Sequence, residues 1–399
     1  MTYPSPRLAR IFAWLGHSSL HMLVALYLTI VLAVERTWHL PYDELIALWT
    51  PGALLLGLGA PLAGWLGDRW SRPGMMVIYF LGAGVSVALA GLATTTWQLM
   101  AALTALGLFG SIYHPVGMAW LVGAARRRGL ALGIFGVFGS LGVAAAGVVA
   151  ATLIDFVSWR SAFIVPGAVT VALGLALWVC LAKGLVAEQD EDAATEPEPS
   201  RGDMVRAFFV LSLTVLCAGL IYHATQIAMP KYLSDRLAGL LGEGTLGVGA
   251  LFTAIYLIGG SLQIWGGHLA DRYPLRLVYG VFFVVQIPIL ALAASVTGLS
   301  VIGVAMVMVA LNSMSQPAEN SLLARYTPGK WRGTAFGAKF VLSLGITPFA
   351  VQLVAWIYGT TGGFMWMFVT LAGAAGVVAL STLMLPRERV AVLAPAAAE

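Results

Sequence analysis

Apolar runs of about 20 residues recur about twelve times along the chain, and glycines or charged residues separate them. A helix of about 20 apolar residues crosses the hydrocarbon core of a bilayer. In lipid, such a helix also satisfies every backbone hydrogen bond within itself. With 59% hydrophobic and 10% charged residues, the chain is too apolar for ordinary soluble cores. The sequence therefore predicts an all-α polytopic membrane protein with twelve transmembrane helices.

An acidic segment divides the predicted helices into two sets of six. EQDEDAATEPEPS, at 188–200, contains proline and has no apolar face, which is typical of a flexible linker. The predicted domains are six-helix bundles at 1–182 and 207–399, joined by a cytoplasmic linker at 183–206. We expect the membrane spans at 11–34, 45–66, 74–96, 98–122, 129–154, 160–182, 207–229, 247–268, 277–296, 298–323, 333–358 and 362–385.

Lysine and arginine are distributed unevenly between the two ends of the predicted bundle. The end that holds both chain termini and the linker carries 17 of the 22 lysines and arginines. Because positive residues stay on the cytoplasmic side, we expect both termini in the cytoplasm and the chain in the inner membrane. The formal net charge of +4 follows from this topology and from contact with anionic headgroups. No nucleic-acid partner is expected.

The two predicted halves repeat each other. GWLGDRWSR follows the second predicted helix and GHLADRYPLR follows the eighth, which places Asp68 and Asp271 203 residues apart. SIYHP at 111–115 has its counterpart in SMSQP at an offset of 202 residues, and RRGLALG has its counterpart in WRGTAFG at 204. Three landmarks in the same order at one offset indicate a duplicated six-helix unit in parallel repeat.

Each repeat places a proline inside a predicted helix, Pro115 in the fourth and Pro317 in the tenth. Proline removes its own N–H and displaces the carbonyl four residues back, which belongs to Ser111 or Ser313. In lipid, such backbone is tolerated only where other protein groups or water in a cavity form hydrogen bonds with the freed backbone groups. We therefore expect both helices to bend towards an interior, solvent-reachable surface.

GWLGDRWSR resembles the signature loop between helices 2 and 3 of the major facilitator superfamily of secondary transporters, and the resemblance covers nearly the whole chain. It implies two pseudo-symmetric six-helix bundles that work by alternating access. Glycines in this loop let helix ends approach closely, Asp68 can pair with a helix N-terminus or a neighbouring arginine, and the arginines anchor at headgroups. The residues expected to act in gating are Gly64, Asp68, Arg69, Arg72, Asp271, Arg272, Pro115 and Pro317.

Three further segments resemble the fosmidomycin-resistance branch of efflux proteins within this superfamily. They are LGHSSLH at 15–21, SIYHPVG at 111–117 and RRRGLALGIFGVFGSLG at 126–142. The branch often carries an acidic residue directly after the His-Pro, where this chain has Val116. The resemblance implies export as the direction of transport.

Ionisable residues inside predicted spans are costly in lipid and are therefore candidates for function. His17 and His21 lie at i and i+4 on one face of helix 1, and His114 lies in helix 4. Because helices 1 and 4 line the central cavity in this superfamily, the three histidines should meet on one wall. We expect His21 to bind the proton and His114 to contact substrate. The alternative is that each histidine only hydrogen-bonds neighbouring backbone.

The C-terminal half offers different candidates. Glu319 and Lys339 lie at comparable depth, which predicts an ion pair. The sequence leaves open whether this pair braces the hairpin of helices 10 and 11 or acts as a gate or substrate clamp. The remaining candidates for substrate or proton binding are His223 and Gln226 in helix 7 and Asn312 and Gln316 in helix 10.

No nucleophile elbow, zinc spacing or phosphate-cradling loop was recognised, so we expect no enzyme activity, metal or cofactor. The predicted function is secondary transport by alternating access, as proton-coupled efflux of a small polar or anionic organic compound. The histidines and Lys339 can together present positive charge to such a substrate. Two alternatives stay open: a proton-symport importer of an organic acid or sugar-like metabolite, and a non-transporting assembly or receptor protein of the same fold. The expected partners are substrate, protons and the lipid bilayer, and we expect a monomer.

Overall fold

The computed structural model describes residues 5–123, 128–186, 200–242, 244–328 and 332–386, and every regular element in these ranges is helical. The helices are α1 (Pro6–Trp38), α2 (Tyr42–Ala47), α3 (Thr50–Leu58), α4 (Ala60–Arg69), α5 (Arg72–Ala90), α6 (Thr96–Gly110), a π-helical turn (Tyr113–Gly117), α7 (Met118–Gly123), α8 (Arg128–Phe156), α9 (Ser161–Ala182), α10 (Arg201–Arg236), α11 (Leu246–Ser261), α12 (Gln263–Arg272), α13 (Leu275–Ser295), α14 (Ser300–Arg325), α15 (Arg332–Gly345), α16 (Thr347–Thr361) and α17 (Met365–Thr382).

The predicted membrane spans have helical counterparts. Among the described residues, eleven helices are long and apolar enough to cross a membrane, and one bent pair, Tyr42–Leu58 with Ala60–Arg69, makes a twelfth crossing. Large apolar side chains such as Phe209, Leu299 and Trp356 lie exposed on the outside of the bundle. In a membrane these side chains face lipid, so the predicted all-α polytopic fold is confirmed.

The first and seventh spans are longer than the sequence predicted. They run over Pro6–Trp38 and Arg201–Arg236 rather than 11–34 and 207–229. An apolar run marks only the part of a helix that lies in hydrocarbon, whereas the helix continues as long as its backbone groups are bonded and capped. Ser5 and Ser200 cap these two helices, since each hydroxyl accepts a hydrogen bond from a backbone N–H three residues further on.

The predicted linker at 183–206 is partly helical. Because α9 ends at Ala182 and α10 begins at Arg201, residues 201–206 belong to a helix. Residues 187–199 of the linker lie outside the described part of the chain. The same holds for 124–127 and 329–331, which include the first residues of the third repeat landmark, Arg127 and Trp331. The domain boundaries at 182 and 207 stay predictions.

The second span is bent, contrary to the single helix expected at 45–66. Pro51 and Pro61 lie at the first turns of α3 and α4, where the missing N–H of proline does not break a helical hydrogen bond. The two parts of the span meet at an angle of 41° near Gly59. A side chain on Gly59 would overlap Ser111, so glycine permits this close approach of the second and fourth spans.

The two repeated prolines lie in different local structures. Pro115 lies in the π-helical turn that separates α6 from α7, whereas α14 continues as an α-helix through Pro317. π-Helical turns are rare and occur frequently at functional sites. The expected irregularity in the fourth span is therefore present, and the bend at Pro317 stays a prediction.

The two ends of the bundle are distinguished by the chain termini. Ser5 N donates to Leu185 O at 2.8 Å, so the start of α1 lies beside the residues that follow α9. We call this the termini end, and the opposite end of the bundle the far end. Both α1 and α10 begin at the termini end and finish at the far end.

Candidate functional site

A small cavity lies between the two halves of the bundle. The volume open to the centre of a water-sized sphere is about 30 Å³, which holds about two water molecules. The cavity is lined by Leu20, His21, Val24, Leu28, Trp49, Leu56, His114, Tyr222, His223, Gln226, Ile227, Leu344 and Thr347. Four predicted site residues are therefore brought together on a mostly apolar wall, and no lysine or arginine is among these lining residues.

Three predicted histidines form one cluster. His21 Nε2 lies 3.1 Å from His17 Nε2, and the ring centroid of His114 lies 5.5 Å from that of His17 and 5.6 Å from that of His21. His21 and His114 face the cavity, while His17 lies behind them and is 5% exposed. The prediction that the three histidines meet on one wall is confirmed.

The hydrogen bonds of His17 fix its tautomer. Its Nδ1 lies 2.6 Å from the carbonyl oxygen of Phe135 in α8, and its ring stacks on Phe135 at a centroid distance of 3.6 Å. Because a carbonyl only accepts, Nδ1 carries the hydrogen and donates it. In the neutral ring, Nε2 then presents its lone pair to His21.

His114 is bonded differently from His17. Its buried Nδ1 has no hydrogen-bond partner among the described residues. Its ring stacks instead on Phe340 of α15, with a centroid distance of 4.9 Å and an interplanar angle of 18°. The alternative in which each histidine bonds neighbouring backbone thus fits His17 but not His114. Phe340, from the opposite half, was not among the predicted site residues.

The π-helical turn holds His114 against α1 through its neighbour Tyr113. The Tyr113 hydroxyl donates to the carbonyl of Ala13, and a side chain on Gly16 or Gly117 would overlap the Tyr113 ring. Glycine at these two positions therefore brings the turn and α1 into close contact. Because of this contact, His114 reaches the face of α1 that carries His17 and His21.

The C-terminal wall of the cavity is contributed mainly by α10. Gln226 Nε2 donates to the Tyr222 hydroxyl at 3.3 Å, and the rings of Tyr222 and His223 meet edge to face. Thr347 contributes a buried hydroxyl for which the described residues provide no partner. Tyr222 and Thr347 were missed by the sequence reasoning, because a lone tyrosine or threonine in an apolar run carries no spacing signal.

The predicted ion pair of Glu319 and Lys339 is present but lies outside the set of cavity-lining residues. Lys339 Nζ is 2.6 Å from Glu319 Oε1, and the Tyr279 hydroxyl donates to Glu319 Oε2 at 2.6 Å. Lys339 Nζ also donates to Asn320 Oδ1. Both charged side chains are buried. Three spans, formed by α13, α14 and α15, thus share one buried polar network.

The other two candidates in the tenth span also lie away from the cavity lining. Asn312 is buried, and neither its amide nitrogen nor its amide oxygen has a partner among the described residues. Gln316 is half-buried. Within the part of the chain that the structure describes, no hydrogen bond, ion pair or ring contact links either residue to the histidine cluster.

The predicted gating loop lies at the termini end. Arg72 donates to Asp68 at 3.0 Å within one turn of chain, and the Asp68 side chain is 67% exposed. Arg69 lies over the Trp65 ring at 4.8 Å. In the second copy, Asp271 and Arg272 are exposed at the end of α12.

This loop also contacts the π-helical turn. A side chain on Gly64 would meet Pro115 at 3.2 Å, and one on Gly67 would meet Val116 at 2.9 Å. Small residues in the loop thus let α4 lie directly on the turn that carries His114. Val116 occupies the position at which the fosmidomycin-resistance branch often carries an acidic residue. In this chain it packs against Gly67.

Polar contacts between the halves hold the far end together. Lys231 Nζ of the second half lies 3.1 Å from Glu35 Oε1 of the first half, and within α10 it lies 3.4 Å from Asp235 Oδ1. Asp155 accepts from the backbone N–H groups of Thr245 and Leu246, at 3.0 and 2.8 Å. These contacts were not predicted, although acidic and basic residues at the matching ends of helices 1 and 7 were a usable signal.

Comparison with known proteins assigns the chain to a family. The family model of the Major Facilitator Superfamily matches residues 13–350. The chain belongs to this superfamily. It is therefore a multi-pass membrane transport protein and not an enzyme. The narrower resemblance to the fosmidomycin-resistance branch stays a prediction.

Three relatives are between 25% and 31% identical to this chain in amino-acid sequence. The chain is 25% identical to the 4-hydroxybenzoate transporter PcaK of Pseudomonas putida over 84% of this chain and 82% of the relative. It is 26% identical to the probable sulfoacetate transporter SauU of Cupriavidus necator, over 81% and 80%. The multidrug efflux pump LfrA of Mycolicibacterium smegmatis is 31% identical over 55% of this chain and 40% of the relative.

A solved structure shows the same fold. It is that of a bacterial homologue of the human lysosomal transporter Spinster, in an inward-facing and occupied conformation. The TM-score is 0.73 at 16% sequence identity, and the match covers 96% of this chain and 95% of the other.

Proposed function

We propose that the chain is a proton-coupled carrier for a small organic acid, in which the proton and the organic anion bind together and move in the same direction. The observation that carries this proposal is the cluster of His17, His21 and His114 beside a cavity whose lining, among the described residues, includes no lysine or arginine. This is the importer that the sequence left open as an alternative to efflux.

Protonation of the cluster creates the anion site. A neutral imidazole has one donor and no charge, whereas an imidazolium has two donors and attracts a carboxylate through charge-assisted hydrogen bonds. Because the three rings are within a few ångströms of one another, one bound proton opposes a second. A single proton therefore loads together with a single anionic group, which is the requirement for symport. His21 holds the proton and His114 contacts the carboxylate.

The rest of the cavity suits the body of an organic acid. Trp49 and several leucines provide apolar surface, while Tyr222 and Gln226 offer hydrogen bonds on the opposite wall. Two relatives that match over about four fifths of the chain are a 4-hydroxybenzoate transporter and a probable sulfoacetate transporter, and both of these compounds are organic acids. This similarity supports an anionic substrate over a sugar-like one.

The cavity and the far-end contacts support alternating access. A space for about two water molecules is too small for an organic acid, so the halves must move apart to admit it. With both termini in the cytoplasm, the far end lies outside, and the contacts of Glu35 with Lys231 and of Asp155 with Thr245 close the outer entrance. These contacts must break each time the carrier opens outwards, and one monomer suffices for this cycle.

Proton-coupled efflux is the second candidate. It is favoured by the branch resemblance around His114 and by the similarity of about half the chain to the efflux pump LfrA. In that mechanism the proton and the substrate compete for the cavity, so that each displaces the other.

Proteoliposomes distinguish these mechanisms. The purified protein is reconstituted, a pH gradient is imposed in either direction, and movement of labelled 4-hydroxybenzoate and a panel of other organic acids is followed. We expect the labelled acid to accumulate inside when the outside is acidic. This accumulation should be lost in His21→Gln and His114→Gln. His268→Gln, which alters an exposed histidine of α12, is the matched control.

Three other outcomes would contradict the proposal. Substrate accumulation driven by an acidic interior would replace symport with exchange. Movement that is indifferent to the pH gradient in every variant would remove proton coupling, and failure to move any tested solute would contradict the proposed substrate class.

A further inference from the structure

The three clustered histidines have the geometry of a metal site, which goes beyond the proposed transport function. One ligand nitrogen from each of His17, His21 and His114 can be chosen so that all three lie within 4.8 Å of one another. In tetrahedral zinc sites, Zn–N bonds of 2.0–2.1 Å place neighbouring nitrogens about 3.3 Å apart. The observed separation of His17 Nε2 and His21 Nε2, 3.1 Å, is already close to that value. We propose that this cluster binds one divalent transition-metal ion, with Zn²⁺ as the reference ion.

His17 has the orientation of a metal ligand. Metal-binding histidines almost always donate their second ring N–H to a carbonyl or carboxylate, which fixes the tautomer and raises the basicity of the ligating nitrogen. In His17 the Phe135 carbonyl takes this role at 2.6 Å, and Nε2 is left to ligate. The fixed tautomer therefore belongs to the resting protein and is not induced by the ion.

His114 supplies the second, independent observation. Burial of a polar atom without a hydrogen-bond partner costs free energy, and native proteins rarely leave such atoms. The buried Nδ1 of His114 is one of these atoms among the described residues. Coordination of an ion by His114 would replace the missing interaction at this ring.

The donor set determines the class of ion. Imidazole nitrogens suit zinc, copper, nickel and cobalt, whereas magnesium and calcium require oxygen donors. Two helical histidines at i and i+4 on one helix face, as His17 and His21 are, can share one metal ion, so this proposal departs from the sequence expectation of no metal. Three histidine ligands leave a fourth position open for water or a carboxylate, and the rings of His21 and His114 border the cavity where such a ligand would enter.

Zinc binding is measured on the purified full-length chain, with any purification tag removed and the protein treated with chelator. Competition against a chromophoric zinc chelator gives the stoichiometry and the affinity. We expect one ion per chain, and a fall in affinity of at least about tenfold in each of His17→Gln, His21→Gln and His114→Gln. His268→Gln should bind zinc as the parent does. None of these readouts depends on transport.

Two further measurements keep the result independent of folding defects. Each variant's thermal midpoint without metal is compared with that of the parent, so that a lost zinc-induced shift is separated from a damaged fold. X-ray absorption of the zinc-loaded parent should show three imidazole ligands with Zn–N distances of about 2.0–2.1 Å. A Kd weaker than about 1 mM would overturn the proposal. So would parent-like affinity in any one of the three variants, or absorption spectra without imidazole.

Discussion

Removal of one partner from the buried ion pair of Glu319 and Lys339 should strongly destabilise the fold. The Lys339→Met variant leaves the Glu319 carboxylate buried, with the Tyr279 hydroxyl as its remaining hydrogen-bond partner among the described residues. Loss of one partner from a buried pair costs about 3–5 kcal/mol, because the remaining charge is uncompensated. For a chain of this size, that free energy corresponds to a fall in the unfolding midpoint of about 4–6 °C.

The paired substitution separates a brace from a gate. When Glu319→Gln and Lys339→Met are combined, no charge remains, so most of the lost stability should return. If the pair only braces the hairpin between α14 and α15, transport by the double variant should also return to the parent rate. A gate or clamp that uses the charges would leave transport low in a protein of restored stability. The network lies outside the cavity lining, so we expect the brace.

Thermal unfolding in detergent and proteoliposome transport are measured on the same four proteins: parent, two single variants and the double variant. The double-mutant cycle yields the coupling between the two side chains directly. Single variants as stable as the parent would refute the argument from burial. A stable but inactive double variant would refute the brace and move proton coupling towards Glu319.

Three shorter predictions concern the moving parts. Asp68→Asn should lower the turnover rate, because Asp68 is expected to stabilise closure at the termini end. Substrate affinity and stability should stay unchanged, because the exposed Asp68 is not among the cavity-lining residues and its pair with arginine is worth little; normal turnover would remove it from the mechanism. Pro115→Ala should change transport kinetics more than Pro317→Ala, since a π-helical turn is present only at the first site; equal effects would contradict this. Glu35→Gln breaks a partly exposed bridge to Lys231 worth about 1 kcal/mol, so the population open at the far end should rise about fivefold. Maleimide labelling of a single far-end cysteine measures that population, and an unchanged labelling rate would exclude the bridge as a gate.

The apolar runs predicted most of the fold because length and hydropathy are the properties that a bilayer selects. They did not predict helix ends or bends, which depend on hydrogen bonding, proline positions and packing. The extra turns of α1 and α10 lie beyond the apolar runs and depend on caps and hydrogen bonds. The bend near Gly59 depends on proline positions and on a close approach to Ser111, a residue about 50 positions away.

Part of the candidate site could also be predicted from the sequence. The spacing of His17 and His21 places them on one face of α1, and the superfamily resemblance brought His114 to the same wall. The Phe135 carbonyl that orients His17 was not predictable, because every residue has a carbonyl and only the packing of α8 selects this one. The stacking of Phe340 on His114 likewise required the structure of both halves.

The two copies of the repeat differ at the positions of the histidine cluster. At the offset of 202 residues that relates the two prolines, His21 corresponds to His223, His114 to Gln316 and His17 to Gly219. The second half therefore retains one of the three rings. His21 and its counterpart His223 both line the cavity, whereas Gln316 and Gly219 do not.

This asymmetry gives the two halves different roles. The first half brings three imidazoles together, and protonation of one of them would place a charge on that wall. The second half instead buries a paired Glu319 and Lys339, whose charges cancel inside the protein. Under the proposed symport, a charge gained by the three-histidine cluster changes the attraction between that wall and an anion held against the other wall, which carries His223. With equal clusters on both walls, a second proton would oppose the first, so under the proposed symport the absence of two of these histidines from the second copy favours the binding of one proton with one anion.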